Sequence, residues 1–302
     1  MKSVGLILAL SILLSSCGIN KPKEVEHEAF IINKNDTLID CKGNSFNGGT
    51  PTEIRIISSS ENKISSGVIR NCKITGSIRF IGLGRVGESK RVRESSLSLG
   101  HTERAQEEAP SYFRIENTDI ISKGKPAIYM GPGTNHITVD SVKFTGYTNS
   151  MVIYMDAESG YNIIKNSEFD VTPKYNTREV IAVDGSAYNT IVYNNFKQLK
   201  YGGIYLYRNC GEGGTIRHQS PKHNTIDENT FNMDGMGLGD VAIWLGSRDG
   251  NRNYCDHDKG YNFGSSENDG DFANYNTVSK NNFSILSKAI KNNGKNNIIN
   301  LI

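Results

Sequence analysis

A short recurring pattern constrains the fold of this chain more than any other feature. Its form is Asn-x-Ile/Val-x-x-x-x-Phe, and looser copies end in Ile or Phe after a similar run. The copies are YNIIKNSEF (161–169), YNTIVYNNF (188–196), HNTIDENTF (223–231) and YNTVSKNNF (275–283), with SGVIRNCKI (66–74), YFRIENTDI (112–120) and HITVDSVKF (136–144) as the looser ones. Their closing residues are 46, 24, 25, 27, 35 and 52 positions apart. A minimum period near 24 predicts one rung of a solenoid, with loop insertions in the longer rungs.

The rungs are predicted to be strands rather than helices. Short β-branched and aromatic runs with a period of two separate the repeats and are bounded by Gly, Asn and Asp. These runs are AIYM (127–130), VIYM (152–155), VIAV (180–183), GIYL (203–206) and AIWL (242–245). The 33 Asn and 31 Gly of the chain suit a fold that turns every few residues. Asn at one position in successive rungs can stack, its amides bonded up and down the axis.

In repeat form the chain resembles the right-handed parallel β-helix proteins of the pectate-lyase-like superfamily. The resemblance covers residues 30–302 and implies an all-β solenoid with loop insertions on one side. For function, the resemblance implies action on a polysaccharide. The paired-Asp and His-Gly signatures of polygalacturonases and the Asp-Pro-His motif of alginate epimerases are not visible in the sequence. The resemblance therefore predicts the fold more firmly than the reaction.

The N-terminus reads as a targeting segment. Lys2 precedes a short apolar run, and the segment Leu14-Ser15-Ser16-Cys17-Gly18 resembles a bacterial lipoprotein cleavage box. We therefore expect a signal peptide over 1–16, acylation of Cys17 and a polar tether over 17–29. Gly18 in place of Asp favours the outer membrane, so we expect a lipoprotein of the cell envelope held there by its acyl chains. An ordinary secretory peptide is the alternative.

The remaining cysteines form an even set, as expected in an oxidising compartment. They are Cys41, Cys72, Cys210 and Cys255, which allow three pairings. Local order favours Cys41–Cys72 and Cys210–Cys255. Metal binding is the weaker alternative, since no C-x-x-C occurs.

Aligning the five strand runs on their inward Ile predicts one outer face with an aromatic row. The next residue along each strand points outward. These outward residues are Tyr129, Tyr154, Ala182, Tyr205 and Trp244. Two positions further on, Asp156 is expected directly beside Asp184, with Tyr207 one rung beyond. Because two like charges repel, one of the two carboxyl pKa values should rise, as in an acid–base pair.

The insertions after residues 207 and 246 leave from the same end of this strand stack. They bring further charged residues to one rim, of which we single out Arg208, Arg217, His218 and Arg248. Long loops in compact domains are usually functional. A third insertion, residues 85–110, reads as a mobile flap or, more simply, as a solvated excursion.

These residues suit the cleavage of a glycan, and several mechanisms stay open. Hydrolysis would use the carboxylates of Asp156 and Asp184, with Glu158 in reserve. Lyase or epimerase chemistry on a uronic acid would use Arg208, Arg217 or Arg248 to neutralise the sugar carboxylate and Tyr207 or His218 as base or acid. Ca²⁺ held by Asp156, Asp184 and Glu158 could replace the arginines. Tyr129, Tyr154, Tyr205 and Trp244 would stack on sugar rings, with Arg217 and Arg248 as further substrate contacts.

The rival class is a lipoprotein that binds glycan or stiffens the envelope without catalysis. A formal net charge of +2 excludes a strongly basic nucleic-acid binder. We expect a monomer, with polysaccharide and a lipid membrane as partners and no nucleic acid.

Overall fold

Three parallel sheets wind into a right-handed β-helix in the computed structural model, which describes residues 25–84, 90–174, 178–264 and 271–301. The expected all-β solenoid is confirmed. The signal peptide and Cys17 lie outside the described residues. No helix among the described residues is long and apolar enough to cross a membrane.

The front sheet is the one that carries the aromatic row. Its members are β1 (Glu28–Ile32), β3 (Thr52–Ile57), the second half of β5 (Lys73–Ile81), β8 (Ile128–Met130), β11 (Ile153–Met155), β14 (Ile181–Asp184), β17 (Ile204–Tyr207), β20 (Ile243–Leu245) and β23 (Ile290–Asn292). The register aligns Ile128, Ile153, Ile181, Ile204 and Ile243, as the sequence predicts.

The side sheet follows the front sheet in each rung. Its strands are β2 (Thr37–Asp40), β4 (Gly67–Arg70), β6 (Phe113–Glu116), β9 (Thr138–Asp140), β12 (Ile163–Lys165), β15 (Thr190–Val192), β18 (Thr225–Asp227), β21 (Thr277–Ser279) and β24 (Ile298–Asn300). The back sheet closes the rung. It comprises the first half of β5, β7 (Asp119–Gly124), β10 (Lys143–Thr148), β13 (Glu168–Pro173), β16 (Asn195–Phe196), β19 (Thr230–Phe231) and β22 (Asn282–Phe283).

The repeat residues form ladders inside the helix. The closing phenylalanines stack face to face with centroids 4.6–5.2 Å apart, in the order Phe144, Phe169, Phe196, Phe231 and Phe283. The first Asn of each repeat donates from its side-chain amide to the next, over 2.8–3.3 Å, in the order Asn162, Asn189, Asn224, Asn276 and Asn297. These buried amides also accept from backbone N–H groups of the neighbouring turn, as in Asn189 N to Asn224 Oδ1 at 2.9 Å. The Asn side chains thus satisfy backbone N–H groups of turns, which have no neighbouring strand to bond to. This role explains the Asn-rich composition.

Two disulfides join the predicted pairs, Cys41–Cys72 and Cys210–Cys255. The second joins the two long insertions, which run from 208 to 224 and from 246 to 276 and include 3₁₀ turns at Glu212–Gly214 and Asn253–Asp258. Further 3₁₀ turns lie at Phe46–Gly49 and Leu286–Lys288.

The third insertion does not stand out in solvent as a separate excursion. Its described part folds into α1 (Lys90–Ser96) and α2 (His101–Glu108), where Val92, His101 and Ala105 are buried. The Ser96 hydroxyl accepts a hydrogen bond from the backbone N–H of Ile216, at 2.9 Å. The interpretation of this segment as a solvated excursion was wrong for residues 90–108, because the helices bury their apolar side against the neighbouring loop.

Candidate functional site

The aromatic row of the front sheet lies where the repeat places it, but it is not continuous. Tyr129 pairs in register with Tyr154, and Tyr205 pairs with Trp244, with ring centroids 5.8 and 5.5 Å apart. Ala182 separates the two pairs. Tyr129 is 4% exposed, whereas Tyr154, Tyr205 and Trp244 are half-buried. The last three rings are therefore the ones that a ligand on this face can touch.

Asp156 and Asp184 lie beneath the tyrosines, and both are buried, at 2% and 0% exposure. The Tyr154 hydroxyl donates to Asp184 Oδ2 at 2.5 Å, and the Tyr129 hydroxyl donates to Asp156 Oδ2 at 2.6 Å. Asp184 also accepts from the backbone and side-chain N–H groups of Asn209, at 2.9 and 2.8 Å. Each carboxylate is thus hydrogen-bonded to a phenol of the aromatic row.

Arg217 lies between the two carboxylates and is fully buried. Its guanidinium forms an ion pair with Asp184 and lies 3.8 Å from Asp156 Oδ1. A third partner, Glu212 Oε2, lies 3.0 Å away. Burial alone would lower the pKa of Arg217, but Asp184 and its acidic neighbours hold that pKa well above its usual range.

The pKa of one of the two carboxyl groups is raised, as the sequence predicts, but for a different main reason. Burial raises the pKa of Asp156 from 3.8 to about 6; Arg217 opposes this shift, and the charge of Asp184 adds to it. Repulsion between the two carboxylates is therefore the lesser cause.

A Ca²⁺ site made of Asp156, Asp184 and Glu158 is not assembled. Arg217 already supplies a positive charge between the two aspartates. Glu158 instead accepts hydrogen bonds from the Thr102 hydroxyl on α2 and from the backbone of His218, the latter at 2.7 Å. Within the described ranges there is no group of three or more His, Cys, Asp or Glu side chains that could hold a metal ion.

Arg208 and His218 lie inside the loop wall beside the site. Arg208 is 1% exposed; it donates to the backbone carbonyl of Arg217 at 2.5 Å and forms an ion pair with Asp258 at 3.5 Å. Burial lowers the pKa of Arg208 despite the attraction of Asp258. His218 is half-buried, with Nε2 2.8 Å from the Ser96 carbonyl and its ring against Phe263. In this arrangement both side chains bridge the loops instead of facing the aromatic row.

Tyr207 joins a cluster that the sequence did not reveal. Its hydroxyl donates to Glu179 Oε1 at 2.7 Å and accepts from Arg178 Nη2 at 2.7 Å. Arg178 also forms a two-point ion pair with Glu179. The Arg248 guanidinium lies 4.0 Å above the Tyr207 ring and 5.8 Å from the Trp244 ring. Burial raises the pKa of Tyr207 well above its usual value, and Glu179 adds to the shift.

Asn209 connects the buried carboxylates to these outer side chains. Its side-chain oxygen accepts from Arg248 Nε at 2.8 Å and from the Tyr254 hydroxyl at 3.0 Å. Arg178, Glu179 and Tyr254 lie in irregular segments, where the repeat pattern gives no position. Their only signal in the sequence is the adjacency of Arg178 and Glu179 just before a strand.

Further basic side chains line the same face toward its N-terminal end. Arg79 lies 4.4 Å above the Tyr129 ring, and Lys125 forms an ion pair with Glu53 at 2.9 Å. Together with Arg55 they line a cleft of about 610 Å³. The exposed face of the front sheet thus combines aromatic rings with guanidinium and ammonium groups.

A family model described as right handed beta helix region matches residues 107–252. No curated protein matches the sequence significantly. Among solved structures, an alginate lyase from Paenibacillus sp. str. FPU-7 is similar, with 9% identity, a TM-score of 0.37, and coverage of 88% of this chain and 89% of that chain. A likeness at this level carries no argument about the reaction of this protein.

Proposed function

We propose that the protein binds an acidic polysaccharide on the outer face of the front sheet and cleaves it there. The observation that carries the proposal is the buried Asp156–Arg217–Asp184 network, which is hydrogen-bonded to the hydroxyls of two tyrosines of the aromatic row. Ionisable groups with displaced pKa values beneath an accessible face are typical of reaction centres.

The polymer would lie across the half-buried rings of Tyr154, Tyr205 and Trp244, whose faces suit the C–H surfaces of sugars. Arg248 lies against the Trp244 ring and would neutralise the carboxylate of a uronic acid. The acidic groups near this face are already paired, as Glu179 is with Arg178 and Glu53 with Lys125. The face therefore favours an anionic glycan over a neutral one.

Tyr154 is the candidate proton donor to the leaving oxygen. Burial raises the pKa of Tyr154 well above its usual value, with the charges of Asp184 and Asp156 adding to the shift. The phenol therefore holds its proton at neutral pH, although a raised pKa also makes it a weaker acid. To protonate the leaving oxygen, the Tyr154 hydroxyl has to exchange its hydrogen bond to Asp184 for one to the substrate. The phenol is already hydrogen-bonded to Asp184, which orients it at the base of the face.

The test is incubation of the purified protein with alginate, polygalacturonate and an uncharged glucan. Ultraviolet absorbance of an unsaturated sugar reports β-elimination, while new reducing ends without that absorbance report hydrolysis. We expect Tyr154→Phe to reduce turnover by about 10²–10⁴-fold, the usual contribution of one acid–base group. The control is Tyr193→Phe, which removes an exposed phenol from a turn outside the front sheet. Full activity of Tyr154→Phe would contradict this role.

A non-catalytic glycan-binding role is the second candidate, and one observation favours it. Asp156, Asp184 and Arg217 have 0–2% exposure, so none of them touches a ligand on the face without rearrangement. Binding of acidic glycans with no product from any of them would establish this role and exclude the cleavage proposal.

Attachment to a membrane through an acylated Cys17 also stands as a proposal. The two disulfides support a compartment outside the reducing cytosol. Expression of Cys17→Ala should release the protein from the membrane fraction, whereas unchanged sedimentation with membranes would refute the anchor.

A further inference from the structure

A second row of aromatic rings lies on the turn between the front and side sheets, away from the candidate site. We call it the turn ladder, and its members are Tyr112, His136, Tyr161, Tyr188, His223 and Tyr275. Successive ring centroids are 4.4–5.5 Å apart, with interplanar angles of 4–21°. The tyrosines are 38–58% exposed. The ladder occupies the first position of six of the seven sequence repeats, the exception being the copy at 66–74.

The backbone of the turn does not explain the choice of aromatic residues. Every ladder residue has a positive φ, between 52° and 59°, which bulky side chains adopt rarely. The next turn of the same rungs has the same left-handed conformation and is occupied by unrelated residues. Those residues are Asn117, Ser141, Asn166, Tyr193, Glu228 and Lys280. The ladder turn thus carries aromatic rings, although the same backbone conformation accepts Asn or Ser at the next turn.

The stacking decides which atoms the turn ladder presents. Because the ring faces inside the ladder are covered by their neighbours, the exposed parts are the ring edges and the phenol hydroxyls, while His136 Nδ1 lies 2.9 Å from Asn135 Oδ1. The edge of an aromatic ring is its electropositive part, and the phenol and imidazole groups are hydrogen-bond donors or acceptors. The result is a row of polar groups spaced by about one rung, or 4.8 Å.

A second row runs beside the ladder on the side sheet, two residues further along each strand. It consists of the half-buried residues Thr138, Ile163, Thr190, Thr225 and Thr277. Together, the ladder from His136 to Tyr275 and this row form a strip without acidic, Lys or Arg side chains. The strip differs from the front face, where arginines and lysines surround the rings.

We propose that this strip is a second glycan-binding surface, which takes a linear uncharged polysaccharide running parallel to the solenoid axis. Ring-edge hydroxyls and threonine hydroxyls would hydrogen-bond to sugar oxygens, and threonine methyl groups would contact sugar C–H groups. The five rungs of the strip extend over roughly 19 Å, and an evenly repeated set of donors matches a polymer of identical units. The absence of Lys and Arg from the strip disfavours nucleic acid, whose binding rests on phosphate neutralisation.

The test is affinity electrophoresis in gels that contain hydroxyethyl cellulose, dextran or a soluble β-1,3-glucan. The decisive variant is Tyr161→Phe/Tyr188→Phe/Tyr275→Phe, which keeps every ring in the stack and removes three hydroxyls. We expect the wild-type protein to be retarded by at least one of these polymers. The triple variant should bind that polymer at least about tenfold more weakly, with an unchanged melting temperature.

Tyr193→Phe is the matched control, because Tyr193 has the same left-handed backbone and is 54% exposed but lies outside the ladder. Its binding should equal that of the wild type. Trp244→Ala changes the front face and should also keep binding to the uncharged polymer. The two proposals can therefore fail independently of each other.

Several results would overturn the inference. Lack of retardation by all three polymers, or equal retardation of the wild type and the triple variant, excludes the surface. Sedimentation analysis showing a dimer that the triple variant disrupts would assign the strip to a second copy of the chain instead.

Discussion

The front face and the turn ladder are built from the same rungs, yet they distribute their interactions differently. In the ladder and the Asn row beside it, each rung repeats the same contact, so no residue has a role that its neighbours lack. On the front face, Arg217 contacts both buried carboxylates, and Asn209 joins Asp184 to Arg248. A repeated surface should therefore lose stability gradually on mutation, whereas the front face should fail at single positions.

Removal of Arg217 should have the largest effect on stability. Arg217→Met leaves Asp156 and Asp184 buried and facing each other without a cation. We expect a loss of about 3–5 kcal/mol of unfolding free energy, the usual cost of breaking a buried ion pair. Urea unfolding followed by circular dichroism measures it. The control Arg114→Met removes an arginine that is exposed on the side sheet and should change stability little. A loss below 1 kcal/mol for Arg217→Met would show that the stability of the front face does not depend on this one residue.

Asp156 should make the stability of the front face depend on pH. Its folded-state pKa, about 6, lies above the ordinary value of 3.8, so the folded protein binds an extra proton between these values. Stability should fall as pH rises through this window, by roughly 3 kcal/mol in total, and this contribution should become constant above about pH 7. The Asp156→Asn variant should lack this component. The measurement is the unfolding free energy of both proteins at several pH values. A difference between the two that stays constant with pH would disprove the role of Asp156.

A single change in the Asn row should be milder. Asn224→Ala leaves the backbone N–H and the side-chain amide of Asn189 without their acceptor. The expected loss is about 1–3 kcal/mol, the cost of one or two buried unsatisfied groups. Denaturant unfolding measures it, with Asn282→Ala, at an exposed Asn on β22 of the back sheet, as the reference. A loss as large as that of Arg217→Met would erase the contrast between the two regions.

The smallest effect on stability should come from Arg248. Arg248→Gln removes a half-buried cation from the Tyr207 ring, a contact worth about 0.5–1 kcal/mol at exposed sites. Its effect on affinity for an acidic glycan should be larger than its effect on folding. Titration calorimetry measures the change in glycan affinity, and thermal unfolding measures the change in stability. Unchanged glycan affinity would remove Arg248 from the proposed binding face.

The sequence predicted those parts of the site that the repeat positions. The register of β8, β11, β14, β17 and β20 followed from the inward isoleucines, and with it the outward row and the adjacency of Asp156 and Asp184. The positions of Arg178, Glu179 and Tyr254 did not follow, because irregular segments carry no period from which to count. The interpretation of the third insertion failed for a related reason. Helices α1 and α2 are too short for their sequence pattern to show which side packs against the rest of the protein.

The sequence by itself thus determined the solenoid, its register and the stacking of its Asn side chains, because each depends on contacts between equivalent positions one rung apart. Only the tertiary structure decided that Asp156 and Asp184 are buried and that Arg217 lies between them. That outcome depends on how the insertions fold back over the ends of the strands. The free energy of a buried charge depends on everything that excludes water from it, and distant segments of the chain supply those groups.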